Sequence, residues 1–259
     1  MSIWVTRSAP DNLATARRLR AAGLRPLLLP LVETRPLESA PLAAQPEALV
    51  FSSIHAVRHH APQPRLRNIP VFVRSAEIAN AARQAGYTSI TSTFEDEAML
   101  VGLLDHLVGD GGSIAYFCGA RTSPTLQHAF GRDRRVERRD VYTSDTVDPR
   151  GLEPLMDRLA RVGSIVLHSS LGSETVRAMI EATNWHGPVW CISHRSAEAL
   201  APVRGIRSSV ARCPSESALV DLVVAGTGRR LSAPVHRPVD VRRPVGQARG
   251  GLPVPFNDN

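Results

Sequence analysis

The stretch ALVFSSIHAVRHH, residues 48–60, ends an apolar run in two serines and passes straight into a helix-like segment, and SIVLHSSLGSETVRAM, residues 164–179, does the same. An apolar run of this length bounded by a polar turn reads as a buried strand, and the segment after it has the spacing of a helix. A strand that delivers Ser-Ser to a helix start is compatible with a nucleophile, an anion site or a plain N-cap. The fold is decided by the fact that the unit occurs twice.

Other landmarks repeat in the same order. Ser52-Ser53 returns as Ser169-Ser170 at an offset of 117, and PVFVRSAEIANAARQAG from Pro70 returns as PVWCISHRSAEALAPVRG from Pro188 at an offset of 118. FEDEAMLVGLL returns as PSESALVDLVV at an offset of 120, and IWVTRSAP leading to LVET has a counterpart about 110 residues on, in AYFCGARTSP leading to VYTS. Ordered matches at nearly constant offset mark a duplicated supersecondary block.

The runs expected as strands are 3–6, 26–29, 48–53, 70–73, 113–118, 136–141, 164–167, 188–192 and 208–211, with amphipathic stretches between most of them. Alternating strand and helix predicts parallel sheets flanked by helices. Asp11 and Asp148 are expected as N-caps, the latter followed by Pro149, and Gly23, Gly86 and Gly163 as helix ends. TFEDE reads as a cap at Thr93 followed by acids in the first helical turn. Ligands of such sheets bind beyond the carboxyl ends of the strands, where the Ser-Ser turns lie.

Composition narrows the chemistry. All 31 basic residues are arginine, which excludes enzymes that need a Schiff-base or phosphate-loop lysine. Three cysteines without a Cys-x-x-Cys pair are expected to be core thiols. His55 and His59 lie one helical turn apart, but no third ligand is placed near them and a solvent-facing helix is expected. The serines lack the glycine-flanked elbow of a strained nucleophile, and GDGG (109–112) follows a helix instead of opening one. No apolar run approaches the ~18–20 residues of a membrane span, and the chain start lacks a signal-peptide layout, so a cytoplasmic protein is expected. The formal charge is +7, and residues 229–259, with six Arg against two Asp, carry most of it. That Pro- and Gly-rich segment is expected to be a disordered basic tail.

The motifs VTRSAPDNLATARRLRAAGLRPLLLPLVETRPL, ALVFSSIHAV, PVFVRSAEIANAARQAG, YFCGARTSPTL, RDVYTSDTV, SIVLHSSLGSETV, PVWCISHRSAEAL and CPSESALVDLV together resemble the uroporphyrinogen-III synthase family over residues 2–226. The resemblance implies two similar flavodoxin-like α/β lobes, each a parallel sheet flanked by helices, joined by two extended crossovers at 31–37 and 140–147. Domain 1 would comprise 1–31 plus 148–228, and domain 2 residues 36–143. It also implies a cofactor-free, cyclising lyase that acts as a monomer without nucleic acid, membrane or metal. Its substrate would be the octacarboxylate hydroxymethylbilane, held in an inter-lobe cleft. Tyr142 matches the family tyrosine over that cleft and is the expected hydrogen-bond donor to the departing hydroxyl. Arg7, Ser52, Ser53, Ser75, Gly119, Ser169, Ser170, Ser193, Arg195 and Ser196 are the expected substrate-binding residues, with Arg74 and Arg121 as further carboxylate partners. For each serine, N-capping is the competing role. The chain departs from the family by placing Ser75 and Ser193 where glycines are usual and by adding His194 and Arg195. A non-catalytic polycarboxylate or tetrapyrrole binder of the same fold is the second reading, and a nucleic-acid-associated regulator using the basic tail the third.

Overall fold

The computed structural model describes residues 2–93, 97–130, 134–148 and 152–228. The basic tail, Pro149, and Glu95 and Asp96 of TFEDE lie outside the described residues.

Eleven strands form two sheets among the described residues. The first contains β1 (Ser2–Val5), β2 (Arg25–Leu28), β9 (Val162–Leu167), β10 (Pro188–Cys191) and β11 (Arg207–Val210), in the spatial order β11-β10-β9-β1-β2. The second contains β3 (Val32–Pro36), β4 (Ala48–Phe51), β5 (Val71–Val73), β6 (Ile90–Ser92), β7 (Ser113–Gly119) and β8 (Arg135–Thr146), ordered β3-β8-β7-β4-β5-β6. Without β3, the second order superimposes on the first: β8-β7-β4-β5-β6 corresponds to β2-β1-β9-β10-β11. The first is the doubly wound order 2-1-3-4-5 of flavodoxin-like sheets, and the second has the same spatial arrangement in circularly permuted chain order, with β7 and β8 following β4 to β6. The sequence repeat is therefore a topological repeat, and the turns after β4 and β9, at Ser52-Ser53 and Ser169-Ser170, occupy equivalent places.

Every strand pair is parallel except β3 with β8. The central strands are apolar on both faces, as helix-covered parallel strands must be. All four residues of β4 are buried, and so are residues 114–119 of β7. Each sheet carries a core on either face: Trp4, Ile165 and Val189 on one side of the first sheet, Val5, Val166 and Trp190 on the other. Leu49, Phe51 and Phe117 divide from Val50, Phe72 and Tyr116 in the same way across the second.

The helices that concern the cleft are α1 (Asp11–Ala21), α2 (Ile54–His59), α3 (Ala76–Gln84) and α9 (Glu216–Gly226). The others are α4 (Glu97–Leu107), α5 (Thr125–Phe130), α6 (Glu153–Leu159), α7 (Ser173–Thr183) and α8 (His194–Glu198).

Several local expectations are corrected. Pro10, not Asp11, precedes α1, and Asp11 is its buried first residue. Helix α6 starts at Glu153 behind Leu152, the residues that would follow an Asp148 cap lie outside the described residues, and Gly163 lies inside β9. Gly23 and Gly86 do close their helices, at φ of 72° and 93°, where a side chain would be strained. Cys213 is half-buried instead of a core thiol. The two expected crossover segments pair with each other. Residues 32–36 pair antiparallel with 142–146, from Val32 opposite Thr146 to Pro36 opposite Tyr142, and make a ribbon on the edge of the second sheet.

Candidate active site

Strand β8 changes partner at Tyr142. Up to this residue it runs parallel to β7, and from it onward it pairs with β3. Cys118 stands opposite Asp140, but Gly119 stands opposite Tyr142, so Val141 is an extra residue in the ladder. Such a bulge re-aims the side chain beside it. Under plain alternation Tyr142 would share the face of Asp140. The bulge instead sets it over Gly119, whose missing side chain leaves room for the ring.

The fit is close. A Cβ on Gly119 would lie 2.7 Å from Tyr142 Cζ and 3.0 Å from its hydroxyl oxygen. That oxygen is 2.9 Å from Ser53 Oγ, and the ring stands 5.6 Å from His55 and 6.1 Å from His59. Burial raises the Tyr142 pKa above the ordinary phenol value, against a smaller lowering by the Ser53 hydrogen bond. The phenol thus keeps its proton at neutral pH. Ser52 Oγ is buried near the same phenol and makes no well-formed hydrogen bond.

Tyr142 lines a cleft of about 780 Å³ between the carboxyl ends of the two sheets. The first sheet contributes Thr6, Arg7 and Ser8 after β1 and His168 and Ser169 after β9. The second contributes Ser52 to His55 after β4 and Arg74 to Ile78 after β5, and the ribbon adds Thr34 and Ser144. The Ser-Ser turns lie where strand order reverses in each sheet, the place where open α/β sheets bind ligands.

Four of the serines cap helical turns. Ser53 accepts from Ala56 N–H at 3.2 Å, Ser75 from Ile78 at 3.3 Å, Ser169 from Leu171 at 3.2 Å and Ser193 from Ser196 at 3.3 Å. Capping and cleft lining coincide at Ser53, Ser75 and Ser169. Among the expected binding residues, Arg7, Ser52, Ser53, Ser75 and Ser169 line the cleft with Tyr142, and Arg74 joins them. Ser170, Ser193, Arg195 and Ser196 are not in its wall. Ser196 is buried, bonded through Oγ to Ser193 and through its carbonyl to Ser173. His194 and Arg195 are exposed on α8. Gly119 is the seat of the Tyr142 ring, and Arg121 faces Asp145 at 3.2 Å on the ribbon side.

Sequence reasoning overlooked a set of charged residues. Glu216, the first residue of α9, is 8% exposed in the cleft wall. It accepts from Arg7 at 2.7 Å and Thr15 at 2.6 Å, and lies 3.1 Å from His168 Nε2. Burial alone would raise its pKa, but His168, Arg7 and Thr15 outweigh that and hold it below the ordinary carboxylate value. An acid in the first turn of a capped helix was the available signal. Its partners, in the turn after β1, on α1 and just after β9, come together only in the fold.

Helix α2 is also not solvent-facing along its histidine side. His55 lies between Tyr142 and Asp11, with Nε2 3.8 Å from the carboxylate and Nδ1 3.5 Å from Thr34 Oγ1. Desolvation pushes its pKa down to about 4 despite Asp11, so the imidazole is neutral at pH 7. Asp11 in turn binds Arg58 at 2.7 Å. Among the described residues, no group of three or more His, Cys, Asp or Glu converges as a metal site would, and no helix is long and apolar enough to cross a membrane.

Two doubly wound sheets that open their carboxyl ends onto one polar cleft define a two-sheet α/β protein with a cleft between the sheets. Residues 14–221 match the family model described as uroporphyrinogen-III synthase HemD, and the chain belongs to that family. No curated protein matches the sequence significantly. Among solved structures, a uroporphyrinogen-III synthetase from Helicobacter pylori is similar at 18% identity with a TM-score of 0.54, over 86% of this chain and 98% of its own. A mutant uroporphyrinogen III synthase from Thermus thermophilus is similar at 19% identity with a TM-score of 0.52, over 88% and 99% respectively. At these identities the two structures bear on the fold.

Proposed function

We propose that the protein converts hydroxymethylbilane into uroporphyrinogen III, with inversion of ring D and release of water. The observation that carries this reading is the protonated phenol of Tyr142, seated over Gly119 and tied to Ser53 at the wall of a cleft lined by serines and arginines. The substrate is a flexible tetrapyrrole with eight carboxylates, and its cyclisation calls for binding and orientation more than for an added cofactor. Helix starts with unsatisfied N–H groups suit carboxylates, and α3 and α9 both begin at the cleft behind Ser75 and Ser215.

In this reading the bond between the terminal methylene and its hydroxyl breaks with the electron pair on oxygen. The Tyr142 O–H donates to that oxygen as it leaves. Ser53, as donor to the phenol oxygen, orients the group. The substituted carbon of ring D attacks the carbon left behind to give a spiro centre, and its older bond to the ring C methylene then breaks. That methylene is attacked by the unsubstituted α-carbon of ring D to close the macrocycle inverted, and the proton this carbon loses balances the departed hydroxide as water. The enzyme is then a cyclising lyase without a cofactor, working as a monomer in the cytoplasm. Each sheet forms its own domain, and the ribbon of residues 32–36 and 142–146 is the hinge.

The experiment is to supply hydroxymethylbilane and separate type III from type I uroporphyrinogen. Type III product above the spontaneous background supports the reading. Type I alone, with retained affinity for an octacarboxylate, sinks the enzyme and leaves the non-catalytic binder.

A further inference from the structure

Arg7 lines the cleft, and its guanidinium carries two carboxylates of unlike character. On one edge Nη1 meets Glu216 at 2.7 Å. Glu216 is 8% exposed and fixed by Thr15 and His168, groups from two further segments. On the other edge Nη2 meets Glu77 at 2.9 Å. Glu77 is 43% exposed and belongs to the first turn of α3. Arg7 follows β1 of the first sheet, whereas α3 follows β5 of the second. The Glu216 contact is thus internal to one sheet's layer, and the Glu77 contact bridges the cleft.

This asymmetry sorts the roles. A buried carboxylate with three partners is costly to free, because separation leaves charges unpaired in a low-dielectric site. An exposed ion pair exchanges readily, since water and salt screen its loss. A carboxylate arriving in the cleft can therefore displace Glu77 far more easily than Glu216. The Glu77 carboxylate also sits at the start of α3, where an anionic ligand would be favoured.

We infer that Glu77 is an internal stand-in for a substrate carboxylate, occupying the Nη2 edge of Arg7 until substrate displaces it, while Glu216 holds the Nη1 edge and positions the guanidinium. The inference rests on the reading of the cleft as a polycarboxylate site. It makes Glu77 a competitor that weakens binding, although it is the acid closest to Arg7 on the opposite wall. Opening of the bridge also frees the second sheet's α3 from the first sheet's β1 turn, so substrate entry and loosening of this contact are one event.

The test compares Glu77→Gln, Arg7→Gln and the double variant in the full chain, with thermal melts to confirm folding. For E77Q we expect KM for hydroxymethylbilane to fall about 2- to 5-fold, the range of a partly exposed ion pair. We expect R7Q to raise KM, and the E77Q gain to vanish in the R7Q background. An unchanged or higher KM in E77Q overturns the inference. So does an equal gain in the R7Q background, which would make the effect one of general charge. Should the wild type not turn over hydroxymethylbilane, the synthase reading fails by itself. The same three variants are then titrated with uroporphyrin I, a non-reacting octacarboxylate, by fluorescence, and the Kd differences decide the role of Glu77 by the same pattern.

Discussion

Replacing Gly119 by alanine adds one methyl group at the point where the Tyr142 ring rests on the backbone. The new Cβ would sit 2.7 Å from Cζ and 2.9 Å from Cε2. Ordinary contact begins near 3.4 Å, so the ring has to retreat by about 0.7 Å. The retreat lengthens the 2.9 Å bond to Ser53 by up to the same amount, to at most roughly 3.6 Å, where the hydrogen bond is lost. Overpacking of this kind costs about 1–3 kcal/mol of stability, of which the lost hydrogen bond accounts for about 1. The protein still folds, but its phenol is misplaced. If the phenol donates to the departing hydroxyl, Gly119→Ala slows single-turnover formation of type III product by about 10-fold, below the ~10²- to 10⁴-fold of general acid catalysis because a protonated phenol is a weak acid. Tyr142→Phe has the same effect, and the double variant is no slower than either single one, because both remove one interaction. Rapid-quench turnover with product separation reads all three. A G119A rate equal to wild type, or a double variant in which the two losses multiply, refutes the proposed role of the glycine as a seat for a reacting phenol.

Tyr142→Phe alone should lower the thermal midpoint by about 2–4 °C, since the bond lost to Ser53 is worth about 1 kcal/mol; unchanged single-turnover cyclisation in this variant would make the tyrosine structural. His55 has a folded pKa of about 4, below its unfolded value near 6.5. It therefore contributes stability that is fully present above pH 6.5 and is lost as pH falls toward 4, by at most about 3 kcal/mol. His55→Asn should flatten that part of the stability profile between pH 7.5 and 4.5 while the change due to other groups persists, as read by chemical denaturation. Gly226→Ala would drive a Cβ to 2.0 Å from Cη2 of the buried Trp190. A loss of about 3 kcal/mol or more and a shift in tryptophan emission are expected.

The strands and their order of appearance could be read from the chain because parallel strands covered on both sides demand short, uniformly apolar runs. VLHSS and LVFSS also announce their turns. Strand β6, ITS, escaped because a three-residue, half-exposed edge strand carries little apolar pattern. The ribbon strand β3, VETRP, read as a crossover because its pairing partner lies more than 100 residues away. Capping by Ser53, Ser75 and Ser193 follows from a local rule, serine before a helical turn, and needs no tertiary information. Glu216 was visible only as a helix-start acid, and nothing in CPSESALVDLV says that Arg7, Thr15 and His168 converge on it.

By itself, the sequence determined a duplicated α/β architecture and the family, since both rest on patterns carried by neighbouring residues and their repetition. It also placed Tyr142 and the serines at strand ends. The tertiary structure decided which of those residues share a space. A bulge at Val141 turns Tyr142 over Gly119, and the facing of two sheets brings Glu77 to Arg7 and His55 to Asp11. A one-residue bulge reverses the face of a side chain, and residues 70 or 209 positions apart meet only once the sheets are in place. Neither event leaves a periodic trace in the chain.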